Sequence, residues 1–478
     1  MSTTTSQTPE RTPDVSTATV RGLKPRQLTM MGLGGAIGAG LFLGSGKGVA
    51  VAGPAILISY IVAGALVVLV MWMIGELSAA NPTSGAFSAH AQNAFGPVAG
   101  YTVGWLYWVQ LAVVTAAEAN GAATILTGIL GESVVGIAVP PTWVLSVVFM
   151  AVFTVVNMFA VSKYGEFEFW FAFLKVGVIL AFLVVGILML LGVIPGHEGG
   201  LSNFTDFAPT GIAGVGAGLL IVIFAFGGTE IVAIAAGETA DPQKSVATAI
   251  RTVAWRIVLF YIGTVFIIVA ILKPSQADAP EGPFAAVLNV AGLPAAGSIM
   301  ALIAVFALLS ALNANIYAAS RMMHSLAQRN YAPAAIKRTA SNSVPRRAVL
   351  LTVSFGFIAS ILEAIFPGKV LETLLSIVGS TIIMVWISVS ASQITLRHRR
   401  ERENPGVKST TYRMPLFPFL SYLTVALLVL IIVVAMLDPA TRTQLLLTVT
   451  ATILIAVTGI FVTRRTEQPT AVHADTHE

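Results

Sequence analysis

Long apolar stretches, each about the length that crosses a bilayer, follow one another along most of the chain. Runs this long and this continuously apolar are typical of helices, because the strands of membrane barrels alternate over about ten residues. The pattern predicts an all-α integral membrane protein with twelve transmembrane helices, numbered here as spans 1 to 12. The predicted spans are about 28–50, 53–79, 98–130, 141–161, 166–193, 211–236, 249–272, 296–328, 346–366, 370–396, 415–437 and 442–463.

The composition excludes most soluble classes of protein. Charged residues make up 10% of the 478 residues and AVILMFWYC make up 56%, whereas a soluble domain is about 25% charged. A soluble enzyme, a nucleic-acid-binding protein and a disordered protein are therefore poor interpretations. The chain has no cysteine, and its six histidines show no metal-binding spacing, so we expect neither a metal nor another cofactor.

The distribution of Lys and Arg predicts the orientation. Most of the 27 basic residues fall in the N-terminal tail, the even-numbered connections and the C-terminal tail, although the connection after span 2 has none. By the positive-inside rule that side is cytoplasmic, with both termini on it, as expected for a multi-pass protein of the cell membrane. Residues 1–20 lack the apolar core of a signal peptide and predict a disordered tail; 21–465 form the transmembrane domain and 466–478 a C-terminal tail.

Two spans contain glycine runs that a simple membrane anchor does not need. GLGGAIGAGLFLGSG lies in span 1 and FAFGGTE in span 6, five spans apart. Small residues also allow close helix packing, and either run alone fits that interpretation. Together they predict a 5+5 inverted repeat plus two C-terminal helices, with helices 1 and 6 broken. Free N–H groups at one break suit a carboxylate and free carbonyls at the other suit an ammonium, which favours a zwitterionic amino acid as ligand.

Ionisable residues inside the spans are candidates for function, because burying a charge in a bilayer is costly. Lys175 either gains and loses a proton or permanently donates to carbonyls of a broken helix. Glu118 is either functional or a neutral glutamate bonded to a neighbouring helix. Glu230 follows the span 6 glycines, where it could hold a proton, pair with a cation or bind the unwound segment. Glu76 lies near the inner end of span 2, where we expect a structural or gating ion pair.

Several segments are similar to a known family. They are MGLGGAIGAGLFLGSG with AGPA, NPTSGAFSAHA, NMFAVSKYGEFEFWFAFLKV, FAFGGTEIVAIAAGE with DPQKSVATAI and VAWRIVLFY, ALNANIYAASRMMHSLAQRNYAP, and YRMPLFP. Over nearly all of 22–463 the chain resembles the amino acid transporter family of the amino acid-polyamine-organocation superfamily. In span 3, YTVGWLYW followed by EANGAATIL is most similar to 4-aminobutyrate permeases.

The resemblance implies a LeuT-like fold and a symporter that moves a neutral or zwitterionic amino acid inward with a proton, with 4-aminobutyrate as the first candidate. It implies that Lys175 occupies the place of a sodium ion in relatives, that Glu230 takes part in gating, and that Ser310 and Asn313 lie beside Lys175. The implied substrate-binding residues are Ile37, Gly38, Ala39, Gly40, Phe224, Ala225, Phe226 and Gly227, the first four for the carboxylate. Phe224 is also the implied aromatic gate, although an aromatic here could simply pack.

Other functions stay open at this point. An amino acid exchanger and a sensor that binds without transport would share these features. A membrane-embedded enzyme is disfavoured, because the spans contain no HExxH, no paired Asp motif and no serine-base constellation. The expected partners are the amino acid, the proton and the lipid bilayer, with no nucleic acid and with the oligomeric state undetermined.

Overall fold

The structure is a computed structural model that describes residues 37–81, 86–131, 133–134, 137–159, 164–194, 202–229, 242–340, 344–403, 405 and 412–467. The predicted tail 1–20 and Glu230 lie outside these residues, as do the glycines at 32–36. Within the described ranges the chain is almost entirely helical. The one departure from an all-α chain in those ranges is a pair of two-residue antiparallel strands, β1 (Ser133–Val134) and β2 (Ile137–Ala138).

The α-helices are numbered in chain order. They are α1 (Ala39–Phe42), α2 (Gly44–Ala52), α3 (Ile56–Ala80), α4 (Ala86–Phe95), α5 (Pro97–Leu130), α6 (Thr142–Phe159), α7 (Tyr164–Leu190), α8 (Gly211–Phe226), α9 (Pro242–Arg256), α10 (Gly263–Ile271), α11 (Pro274–Ala277), α12 (Pro283–Val290), α13 (Pro294–Gln328), α14 (Arg346–Ile365), α15 (Val370–Glu403), α16 (Phe419–Ala435) and α17 (Pro439–Glu467). A π-helix (Ile257–Ile262) joins α9 to α10 without interruption, and short 3₁₀ turns lie at Gly53–Ala55, Ser202–Phe204 and Ala334–Lys337.

Nine helical segments of the described chain are long and apolar enough to cross a membrane, one of them running from α1 through α3. Two shorter apolar helices, α8 and α16, add to them. The chain is therefore a multi-pass helical membrane protein. The count of twelve spans and the inverted repeat remain predictions.

Basic side chains gather at one end of the helices, which we call the basic face. There the end of α15 meets the end of α4, where Arg399 Nη1 donates to the Asn93 carbonyl at 3.1 Å. The start of α5 meets the chain after α13, where Trp105 Nε1 donates to the Tyr331 carbonyl at 2.9 Å. Basic residues at this face include Arg329, Lys337, Arg338, Arg346, Arg347, Arg397, Arg399, Arg400 and Arg402.

Glu76 is the centre of a buried polar network at the basic face. Its Oε2 accepts hydrogen bonds from Gln393 Nε2 at 2.9 Å, Arg397 Nη1 at 3.3 Å and the backbone N–H of Met414 at 2.8 Å. Gln393 in turn accepts from Ser421 Oγ at 2.9 Å. The carboxylate thus connects α3, α15, α16 and the segment before α16, which agrees with the ion pair expected from the sequence.

The opposite end of the molecule is covered by a helical hairpin formed by α11 and α12. The ring of Phe284 lies between Phe42 of α1 and Phe182 of α7, with centroid separations of 5.1 and 4.6 Å. Lys47 Nζ pairs with Asp278 Oδ1 at 3.1 Å, which fastens α2 to the end of α11. The hairpin therefore contacts the first and fifth predicted spans at once.

Candidate functional site

In the described part of the first predicted span, helix α1 begins at Ala39, inside the glycine run. Gly38 has φ −147° and ψ −147°, which is not helical, and Ala39 is the first residue of α1. The N–H groups of Leu41 and Phe42 both donate to the Gly38 carbonyl at 3.1 Å. The residues that the sequence assigns to the substrate carboxylate, from Ile37 to Gly40, therefore lie where the helix starts.

Helix α8 ends inside the second glycine run. Its last residue is Phe226, the N–H of Gly227 donates to the Phe224 carbonyl at 2.9 Å, and Gly228 has φ +86°, a conformation that favours glycine. Thr229 Oγ1 donates to the Phe226 carbonyl at 2.9 Å. The helix thus stops at the position where the sequence predicts a break.

The start of α1 and the end of α8 touch. A Cβ added at Gly40 would overlap the Cα of Ala225, so only glycine allows this approach. Ile37, Ala39 and Ala225 are all buried. The structure therefore places the segment predicted to bind the carboxylate against the segment predicted to bind the amino group.

A carboxyl group from α5 completes this junction. Both oxygens of Glu118 accept from the backbone N–H of Ala39, at 3.2 and 3.0 Å. A Cβ added at Gly38 would overlap Glu118 Oε1, so the glycine run also makes room for this side chain. Glu118 is 4% exposed, and its hydrogen bond satisfies the first N–H of α1. A carboxyl group of the protein itself thus accepts from the Ala39 N–H, which the sequence resemblance assigns to the carboxylate of the substrate.

Lys175 lies in the same buried region. It is 1% exposed, α7 packs on α13, and the Lys175 ammonium is an electrostatic neighbour of the Glu118 carboxyl group. Ser310 of α13 is buried, and Asn313 accepts a hydrogen bond from Asn157 Nδ2 of α6 at 2.8 Å. An acidic and a basic side chain therefore share one buried interior.

The two phenylalanines before the α8 end differ in their surroundings. The ring of Phe226 packs with Tyr261 at 4.8 Å and with Tyr60 at 6.0 Å between centroids. Phe226 thus packs against aromatic side chains of α3 and the π-helix. This is the packing role that the sequence left open as an alternative. Phe224 is also buried, and its role as a gate remains a prediction.

Tyr261 is a candidate that the sequence did not indicate. It belongs to the π-helix in the seventh predicted span, and its hydroxyl is an electrostatic neighbour of Glu118. Single π-helical turns within α-helices are common at functional sites. The segment IVLFYIG, which follows Arg256, is a plain apolar run, so nothing in its pattern distinguishes Tyr261.

Among the residues that the structure describes, no three His, Cys, Asp or Glu side chains come close enough to hold an ion.

Comparison with known proteins adds independent information. The sequence profile of the family described as "Amino acid permease" matches residues 27–470. The aromatic amino acid transport protein AroP of Corynebacterium glutamicum is 46% identical over 431 residues, covering 88% of this chain and 91% of that protein. The gamma-aminobutyric acid permease of Bacillus subtilis is 42% identical, covering 91% and 92%, and that of Escherichia coli K12 is 37% identical, covering 89% and 91%.

Proposed function

The chain belongs to the amino acid permease family, whose members named above are transporters rather than enzymes, and we propose that it imports a neutral or zwitterionic amino acid together with a proton. The observation that carries the proposal is the pairing of Glu118 with the first N–H of α1, beside a buried lysine. Family membership supports transport of an amino acid. The geometry around Glu118 supports the coupling of that transport to a proton.

The substrate would bind at the junction of α1 and α8. Its carboxylate would accept from backbone N–H groups between Ile37 and Gly40, and its ammonium would donate to carbonyls near Phe224 and Gly227. This division follows from the two helix ends, since the start of a helix leaves N–H groups free and its end leaves carbonyls free. Backbone recognition of both charged groups leaves side chains to select the rest of the substrate.

Protonation of Glu118 would couple substrate binding to a proton. A neutral carboxylic acid is a weaker acceptor than a carboxylate, so a protonated Glu118 releases the Ala39 N–H for the carboxylate of the substrate. The substrate carboxylate then takes the place of the Glu118 carboxylate near Lys175, and the buried site gains one positive charge, because a proton and a net-neutral zwitterion have entered it. The exchange requires one proton for each substrate molecule, because only the protonated form of Glu118 yields its place.

Three relatives suggest the substrate class. The gamma-aminobutyric acid permeases favour 4-aminobutyrate, and AroP, which is named for aromatic amino acid transport, favours an aromatic substrate. We propose 4-aminobutyrate as the first candidate, since span 3 resembles those permeases, and an aromatic amino acid as the second.

The remaining elements of the proposal concern topology. Twelve spans in a 5+5 inverted repeat plus two helices, with both termini and the basic face cytoplasmic, fit the distribution of Lys and Arg. Glu230, the next residue in the sequence after the described stretch 202–229, is proposed as a gating acid.

The test is uptake into liposomes that contain the purified protein. Labelled 4-aminobutyrate and labelled phenylalanine are supplied separately under an inward proton gradient, with unlabelled amino acids as competitors. We expect accumulation of one of them that an uncoupler abolishes. Uptake only into preloaded vesicles without a gradient would instead establish an exchanger. Binding without any uptake would establish a sensor, and neither binding nor uptake of any amino acid would refute the proposal.

A further inference from the structure

Arg329 follows the last residue of α13 and is a buried cation that the transport site does not use. Its Nε, Nη1 and Nη2 atoms are all buried, and none has a hydrogen-bond partner in the part of the chain that the structure describes. Burial lowers the pKa of its guanidinium, and the nearby Tyr331 opposes this shift. Unpaired buried charge costs several kcal/mol, so a ligand that supplies acceptor oxygens would be strongly favoured.

Aromatic side chains surround this cation. The guanidinium carbon of Arg329 lies 5.2 Å from the centroid of the Tyr331 ring, within the range of a cation–π interaction. Tyr331 packs edge-on against Tyr101 at 5.7 Å, and its carbonyl accepts from Trp105 Nε1. We call Tyr101, Trp105 and Tyr331 the aromatic cluster.

The aromatic cluster lies between three membrane helices. Tyr101 and Trp105 belong to α5, Tyr331 follows α13, and the Tyr101 hydroxyl lies 3.4 Å from Thr458 Oγ1 of α17. The outward side of α17 is strongly apolar, with Phe461 63% exposed. Tyr and Trp side chains are enriched where a membrane protein meets the lipid headgroups. The place of the aromatic cluster at the basic face therefore suits contact with lipid headgroups.

We propose that Arg329 and the aromatic cluster bind the phosphate group of an anionic phospholipid. The planar fork of a guanidinium matches the oxygens of a phosphate, and basic pockets between helices recognise such headgroups. Lys337, whose Nζ donates to Asn330 Oδ1, adds a second positive charge beside Arg329. The exposed apolar side of α17 offers a surface for the acyl chains of a lipid. A free phosphate ion has no acyl chains and would gain nothing from that surface.

The site differs from a general attraction of basic residues to the membrane surface. The Arg329 nitrogens are buried, so a bound phosphate is shielded from water and from salt. We therefore expect the lipid to exchange slowly and to survive purification. Exposed arginines of the same face, such as Arg338, would bind the same headgroups only weakly.

The experiment measures lipid bound to the purified full-length protein. Delipidated protein is titrated with phosphatidylglycerol, with phosphatidylcholine or with inorganic phosphate alone, and bound lipid is counted by native mass spectrometry. We expect retention of phosphatidylglycerol that falls at least tenfold in Arg329→Gln and is unchanged in the control Arg338→Gln. Arg329→Lys keeps the positive charge but lacks the planar guanidinium group, so we expect an intermediate retention of phosphatidylglycerol. If Arg329→Gln does not fold, the comparison of Arg329→Lys with the native protein tests the proposal.

Several outcomes would overturn the proposal. Equal retention of phosphatidylglycerol by the native protein and both Arg329 variants would exclude a site at Arg329. Equal retention of phosphatidylcholine and phosphatidylglycerol would exclude selection for anionic lipid. Binding of inorganic phosphate that depends on Arg329, without retention of phosphatidylglycerol, would assign the site to a soluble anion. None of these outcomes depends on which amino acid is transported.

Discussion

The carboxyl group of Glu118 and the backbone N–H of Ala39 are hydrogen-bonded across 79 residues of sequence, at 3.0 Å for the shorter contact. This bond connects a side chain in the middle of α5 to the first residue of α1. Under the proposed coupling, the protonation state of this carboxyl group controls access of the substrate to the Ala39 N–H.

Replacing Glu118 with glutamine is expected to separate binding from coupling. The amide oxygen of Gln still accepts from the Ala39 N–H, but the side chain no longer titrates. We expect substrate binding to stay within about tenfold of the native affinity, while uptake driven by a pH gradient falls at least about tenfold. Equilibrium binding and liposome uptake measure the two effects. Native proton-driven accumulation in this variant would refute the coupling role of Glu118.

Replacing Lys175 with alanine is expected to leave Glu118 without its buried cationic neighbour. Binding should persist in part, because the backbone groups of α1 and α8 remain, whereas uptake driven by a pH gradient should be lost. The same two measurements apply. If accumulation survives at the native level, Lys175 has a structural role only.

Adding one methyl group at Gly40 is expected to separate α1 from α8. The new Cβ would overlap the Ala225 backbone, which cannot move aside as a flexible side chain would. Overpacking of this kind costs about 1–3 kcal/mol, and we expect a lower unfolding temperature together with loss of substrate binding. Gly177→Ala is the matched control, since a Cβ there meets no atom within 4 Å and the residue lies in α7. Native binding by Gly40→Ala would show that the approach of the two helices is dispensable.

Neutralising Glu76 is expected to destabilise the basic face. The Glu76→Gln variant presents an amide to Gln393, Arg397 and the Met414 N–H, and it leaves the Arg397 charge poorly compensated. The expected loss is about 2–4 kcal/mol, measured as a drop in the unfolding temperature of the purified protein. Glu401→Gln removes an exposed partner of the same arginine and should change stability by less than about 0.5 kcal/mol. Equal effects of the two variants would contradict a special role for the buried network.

His90 is expected to make stability fall on acidification. Burial, and to a lesser extent the charge of Arg400, lowers the pKa of His90 from 6.5 to about 4. The unfolded chain therefore takes up a proton as the pH falls below about 6.5, while the native protein does not until about pH 4. Stability contributed by the neutral ring, up to about 3 kcal/mol, is lost across that window. The unfolding temperature of His90→Gln between pH 7.5 and 4.5 should depend less on pH than that of the native protein, and an identical dependence would contradict the assignment.

The apolar pattern predicted the helices well because a bilayer requires long uninterrupted runs. Its errors lie at the ends, where α15 continues to Glu403 beyond the predicted end at 396, since Arg397 and Arg400 extend the helix into the polar region. The helical hairpin was not predicted, because its helices are short. The end of α8 lies inside the second glycine run, and the breaks predicted in helices 1 and 6 stay predictions.

Less of the candidate site than of the fold could be predicted from the sequence. Glu118 was selected because a charge inside a span is costly, yet its bond to Ala39 depends on the packing of α5 against α1. Phe224 and Phe226 are equivalent by composition, and only the structure shows that Phe226 packs with Tyr261. Glu230 lies outside the described residues, so its gating role stays a prediction.

If the end of the molecule opposite the basic face opens to admit a ligand, the contacts of Phe284 oppose that opening. Each of its two ring pairs contributes about 0.5–1.5 kcal/mol, and the ion pair of Lys47 with Asp278 adds up to about 1 kcal/mol. A closed state favoured by about 1–4 kcal/mol leaves the open state populated at between about 15% and 0.1%. The apparent affinity of a ligand that enters only through this opening is then about 6 to 1,000 times weaker than the intrinsic affinity of the site. Weakening the aromatic contacts of the helical hairpin would therefore raise the measured affinity without altering any atom that touches the substrate.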